Sequence, residues 1–98
     1  FVVGNNNDVG IDPTADEWEL SLYPNPARIN FTLVYDFIND QDVIFTMTNM
    51  LGETVASRVL PDSEGQLEFN VEELGAGVYF VHLANENQRQ TIRLVITR

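Results

Sequence analysis

Two apolar stretches of period two lie close together near the end of this chain, and any fold it adopts must cover both. In Val78-Tyr79-Phe80-Val81-His82-Leu83, the side chains of Tyr79, Val81 and Leu83 fall on one side of an extended strand. In Thr91-Ile92-Arg93-Leu94-Val95-Ile96-Thr97-Arg98, Ile92, Leu94 and Ile96 do the same. A polar turn over residues 85–90 joins them into a predicted hairpin with one continuous apolar face, and such a face needs a partner sheet.

The preceding residues supply one. Trp18, Leu20 and Leu22 alternate with polar neighbours as a first short strand, ended by Tyr23-Pro24-Asn25-Pro26. Neither proline can donate to a ladder, and each holds the residue before it extended, so this segment is predicted to be stiff and unable to sit in mid-sheet. Ile29, Phe31, Leu33 and Tyr35 mark a half-buried second strand, and Val43, Phe45 and Met47 a third running to Asn49. Met50-Leu51-Gly52-Glu53 is a tight turn with glycine where a positive φ is wanted, followed by a fourth strand over residues 54–60. Pro61-Asp62-Ser63-Glu64-Gly65 turns the chain into a fifth strand of Leu67, Phe69 and Val71, and residues 71–74 are predicted to tighten into one helical turn before Gly75 and Gly77. Seven short strands and no long helical period predict an all-β antiparallel sandwich, favoured over a small barrel. The cysteine and tryptophan spacing of true immunoglobulin domains is missing, so the pattern alone implies only the architecture.

With 98 residues, 44% of them hydrophobic, the chain is the size of one domain with one core. It has no cysteine, so it forms neither a disulfide framework nor a thiolate metal site. Its longest uninterrupted apolar run, Val78 to Val81, is far too short for a membrane helix. Residues 1–17 are polar and aperiodic apart from Val9 and Ile11, and are expected to be a flexible linker. The start at Phe1, without a basic-then-apolar leader, suggests a fragment of a longer polypeptide. A formal charge of −10 argues against nucleic acid and bare anionic membranes as partners. It reads best as a solubilising surface, with a docking surface for a basic partner as the alternative.

Candidate chemistry is thin. His82 is the only histidine and points away from the apolar face, among Val78, Phe80 and Ala84, which suits a surface residue better than a catalyst. Ser21, Ser57 and Ser63 lack a glycine-flanked elbow. Asp36, Asn39, Asp40 and Asp42 crowd one loop in a way that suits calcium, yet lack the glycine and distal glutamate of a helix-loop-helix site, so a solvated turn is the better reading. A glycosidase carboxylate pair would need a deep cleft, and Gly75-Ala76-Gly77 enters a strand and so is no phosphate loop. Trp18, Tyr23, Tyr35 and Tyr79 could line a sugar-stacking platform, although strand aromatics more often belong to the core. No catalytic residue, metal site or cofactor is expected.

From Leu20 to Arg98 the chain resembles a type A C-terminal sorting domain of the type IX (Por) secretion system. The resemblance rests on Leu22-Tyr23-Pro24-Asn25-Pro26-Ala27, the glycine turn Leu51-Gly52-Glu53, a leucine-glycine-aromatic motif at Leu74, Gly77, Val78 and Tyr79, and the closing Arg93, Leu94, Val95, Ile96 and Arg98, in that order. The family usually has lysine where Arg93 and Arg98 stand, and a serine- or aspartate-rich spacer is missing at Ala27-Arg28-Ile29. The resemblance implies an immunoglobulin-like sandwich that folds in the periplasm and directs a cargo across the outer membrane of a gram-negative bacterium, to the surface or beyond. It also implies recognition by the type IX translocon and removal by a sortase-like cysteine protease, with a cut in the exposed residues 7–17. On this reading Tyr23, Pro24, Asn25, Pro26, Gly75, Gly77, Tyr79, Arg93 and Arg98 form or support the recognised surface, and the domain is a monomer or a strand-paired dimer. A carbohydrate-binding or adhesive sandwich module is the alternative, favoured by an exposed Trp18 with Tyr23 beside it and weakened by burial of both.

Overall fold

The computed structural model describes residues 18–38, 40, 42–86 and 88–98. The expected linker and cleavage region at residues 1–17, with Val9 and Ile11, lies outside them, as does Asn39. Among the described residues seven strands follow one another: β1 (Glu19–Tyr23), β2 (Asn30–Asp36), β3 (Val43–Asn49), β4 (Thr54–Leu60), β5 (Glu64–Asn70), β6 (Gly77–Ala84) and β7 (Arg89–Ile96). They pair antiparallel in a three-stranded sheet, β1-β2-β5, and a four-stranded sheet, β4-β3-β6-β7. The chain changes sheet between β2 and β3, between β4 and β5 and between β5 and β6. This is an immunoglobulin-like sandwich, as expected.

Alternation decides which residues form the core. Phe31 and Leu33 on β2, Val43, Phe45 and Met47 on β3, Val81 and Leu83 on β6, and Leu94 on β7 are all fully buried. Tyr79 pairs with Leu94 and Val81 with Ile92, so the two stretches of the C-terminal hairpin do share one inward face. Phe45 meets Phe31 and Phe69 across the layers, with ring centroids 6.4 Å and 5.9 Å away, and Phe31 and Phe69, partners in the β2–β5 ladder, lie 5.7 Å apart. The Arg58 guanidinium lies 5.4 Å from the Phe69 ring and closes one side of this cluster.

The structure departs from the sequence reading in several places, among them Arg89 and Gln90, which belong to β7 and not to the turn, and Val71, which lies past the end of β5. Ile29 is outside β2 and 57% exposed, because its residue belongs to the connection whose carbonyl accepts the Val71 N–H (2.8 Å). Gly65 belongs to β5 and not to a turn: it pairs with Tyr35, and an added Cβ would come within 3.0 Å of the Tyr35 hydroxyl. Residues 71–74 make a single turn, Leu74 N–H to Val71 carbonyl at 3.0 Å, with no helix. Phe37, in what reads as a polar turn, is fully buried, stacked on Tyr35 (4.6 Å) and packed on Trp18 (4.9 Å).

Candidate functional site

The turns and strand ends that carry the sequence motifs collect at one pole of the sandwich. Register places them there: Asn49 at the end of β3 pairs with Tyr79, and Gly77 at the start of β6 pairs with Ile96 at the end of β7. The turn at residues 50–53, the connection at residues 71–76 and the end of β7 therefore lie together. The connection from β1 to β2 joins them through Ala27, which forms a parallel bridge with Ile96.

Asn25 explains how a proline-flanked segment reaches a sheet edge. Both the Tyr23-Pro24 and Asn25-Pro26 peptide bonds are cis. The Asn25 carboxamide then pairs with β7 as a peptide group would: its Nδ2 donates to the Arg93 carbonyl (2.8 Å), and its Oδ1 accepts the Val95 N–H (3.0 Å). Ala27 continues the pairing, its N–H donating to the Val95 carbonyl (2.8 Å) and its carbonyl accepting the Thr97 N–H (2.9 Å). The motif thus covers an edge that would otherwise expose unpaired backbone. Replacing Asn25 with alanine is expected to cost about 1–2 kcal/mol, a melting temperature lower by roughly 5–10 °C. Aspartate should not rescue it, since a carboxylate accepts from Val95 but repels the Arg93 carbonyl. Thermal melts of the three proteins, with amide exchange read at Val95, check both points.

Arg98 knots the pole together. Its guanidinium donates to the carbonyls of Val71 (2.6 Å) and Glu72 (3.3 Å), and also to those of Arg28 and Leu74. A planar fork with five N–H groups can serve several acceptors at once, which an ammonium on a flexible stem does less well. Arg28, Ile29, Glu72, Thr97 and Arg98 line a groove here. Tyr79, 8% exposed, donates its hydroxyl to the Gly75 carbonyl (2.7 Å), the tyrosine-corner arrangement of immunoglobulin-like domains.

The two glycines differ. Gly77 has φ of 150°, a backbone conformation side chains disfavour, whereas a Cβ at Gly75 would meet only the Tyr79 hydroxyl at 4.0 Å. Arg93 stands apart from Arg98: it is exposed on the outer face of β7 opposite Phe80, and no described residue holds its guanidinium. Tyr23 is 48% exposed, and Pro24 and Pro26 are exposed beside it.

The other sequence candidates lie elsewhere. His82 is half-buried on the outer face of β6, with Nε2 3.0 Å from the Thr48 hydroxyl and Nδ1 3.1 Å from the Thr91 hydroxyl. Arg89 Nη2 lies 3.2 Å from Nδ1, an arrangement that suits the neutral ring with its proton on Nε2. Burial, then the Arg89 charge, lowers its pKa below the ordinary histidine value. In the acidic loop, Asp36 accepts the Ile38 N–H (3.0 Å) and Asp40 accepts the Trp18 indole N–H (2.9 Å). Among the described residues no group of three histidine, cysteine or acidic side chains could hold a metal. The sugar-stacking platform is not assembled, because Trp18, Tyr35 and Tyr79 are buried and only Tyr23 is exposed.

A small immunoglobulin-like sandwich, with its motifs spent on building one pole, has the form of a recognition module. The family model of the secretion system C-terminal sorting domain matches residues 21–97. The chain belongs to that family and is a C-terminal sorting signal of type IX secretion, which serves export across the outer membrane of Gram-negative bacteria to the surface or the medium. The family is a sorting signal and not a catalytic one. The fold is also similar to part of PorZ, described as an essential bacterial surface component of the type-IX secretion system of human oral-microbiomic Porphyromonas gingivalis. There the TM-score is 0.65 and the identity 18%, over 81% of this chain and 11% of that one. No curated protein matches the chain.

Proposed function

We propose that the pole built by the β1–β2 connection, the β5–β6 connection and the end of β7 is the part of this sorting signal that the type IX translocon reads. The observation that supports it is convergence. Motifs scattered from Tyr23 to Arg98 in sequence meet at this one end, joined by Asn25 to β7 and by Arg98 to residues 28 and 71–74. Asn25, Gly75, Gly77, Tyr79 and Arg98 shape the surface from within, since their polar groups or backbone angles are already used. Tyr23, Pro24, Pro26, Ile29 and Arg93 offer the exposed atoms that a partner would touch.

On this reading the domain is of the type A class, folds during periplasmic transit, and performs no catalysis itself. A sortase-like cysteine protease then cuts within residues 7–17, and the released cargo is attached at the surface. The test is export of a neutral reporter fused ahead of the chain, in a host with type IX machinery, against the same fusion truncated before Thr91. Surface appearance of the full fusion alone is the expected result. Equal periplasmic retention of both would remove autonomous sorting.

A further inference from the structure

The two halves of β7 are treated differently. In an antiparallel strand the backbone groups of alternate residues point away from the neighbour, here β6. The outward groups of the second half, the Arg93 and Val95 carbonyls and the Val95 and Thr97 N–H groups, are taken by Asn25 and Ala27. By the same alternation the Arg93 N–H and both backbone groups of Thr91 also point outward, and no described residue bonds them. On the outer face exposure changes at the same boundary: Arg89, Thr91 and Arg93 are exposed, whereas Val95 and Thr97 are half-buried.

Charge selects what can join this open half. The strands of the three-stranded sheet carry Glu19, Asp36, Glu64 and Glu68 and no basic residue. The strands of the four-stranded sheet carry Arg58, Arg89 and Arg93 and no carboxylate. Arg89 and Arg93 flank Thr91 on the outer face of the edge, four residues apart. A second copy adding antiparallel about Thr91 would set each Arg89 opposite the other copy's Arg93, and like charges directly opposite are destabilising. The same geometry favours an extended segment with two carboxylates at that spacing.

We propose that residues 89–93 of β7 are an open edge that receives an extended acidic segment of a partner protein, by strand addition, with carboxylates four positions apart set against Arg89 and Arg93. Asn25 marks the limit of the site, since its carboxamide fills the next position along the edge. The proposal rests on the sorting reading for its biological setting and names the chemistry of the partner segment. The physical site is testable without export.

The probe is a capped eight-residue threonine- and valine-rich peptide with glutamate at its second and sixth positions, added to the whole chain and compared with a lysine version. Glutamate peptide should slow amide exchange at Thr91 and Arg93 but not along β4, and the lysine peptide should bind about tenfold more weakly. Replacing both Arg89 and Arg93 with glutamate should reverse that preference. Thr91→Pro, which removes an outward donor that β6 does not use together with the Thr91 hydroxyl contact to His82, should abolish binding by both peptides, and Thr91→Val, which loses only that hydroxyl, should keep it. If Thr91→Pro fails to fold, the charge reversal decides alone. Unchanged exchange at Thr91 and Arg93 up to about 1 mM glutamate peptide, a range that covers weak strand addition, would overturn the proposal. So would equal affinity for the two peptides. A failure here leaves the reporter-export comparison standing, and a failure there leaves the peptide result standing.

Discussion

Truncating Phe45 to alanine is expected to cost about 3–5 kcal/mol and to lower the melting temperature by roughly 15–30 °C. Phe45 is fully buried at the centre of β3, between β4 and β6, and packs with Phe31 and Phe69 across the layers. A domain of this size holds only about 5–15 kcal/mol in all, so the variant stands near the edge of folding. Phe45→Leu keeps most of the volume and should cost less, giving a graded pair. Neither substitution touches the pole, so export of a fused reporter by these variants measures how far sorting falls when stability alone is lost. Chemical denaturation and surface quantification of the same fusions supply that calibration. Unchanged export by a Phe45→Ala domain shown to be unfolded would mean that the signal is read as a linear segment, and the pole would lose its role.

Most of the fold was legible because period two survives in β1, β2, β3 and β6, although β4 lacks it. Phe31, Leu33, Val43, Phe45, Met47, Val81 and Leu83 all lie inside where alternation puts them. The misreadings come where local pattern is silent about distant partners. Phe37 follows a strand and precedes a polar loop, so nothing in its neighbourhood signals burial; its place is set by Trp18 and Tyr35. Glu64-Gly65 has turn composition, yet Gly65 serves a strand because the Tyr35 hydroxyl occupies the space a Cβ would need.

The residues that gather at the pole were marked in the sequence, but their contacts with one another were not. Tyr23-Pro24-Asn25-Pro26 reads as a segment that cannot enter a sheet, which is true of its backbone. That the Asn25 side chain does the pairing depends on β7, 68–70 residues away, and no local signal carries such a contact. Tyr79 was marked, but the link from its hydroxyl to Gly75 was legible only through the spacing of Gly75 and Tyr79, a signal that gains meaning once both are known to form a corner between β5 and β6. Arg93 and Arg98 look alike in the sequence and are opposites in the structure.

Arg98→Gln should lower stability by about 1–2 kcal/mol, roughly 5–10 °C in melting temperature, because carbonyls of Arg28, Val71, Glu72 and Leu74 lose a shared charged donor. Its export should fall only as far as the Phe45 series predicts for that loss. Arg98→Lys should recover part of the stability, since an ammonium reaches fewer of those carbonyls in their fixed arrangement. Arg93→Gln should change stability by no more than about 0.5 kcal/mol, as exposed substitutions away from special contacts do. Its main-chain carbonyl still accepts from Asn25, and its guanidinium holds nothing among the described residues. Export by Arg93→Gln should nevertheless drop, well below the line set by the core variants, because this side chain is free to be read. Were both arginine variants to fall on that line, neither guanidinium would be a contact, and the closing basic residues would serve sorting only by keeping the sandwich shut.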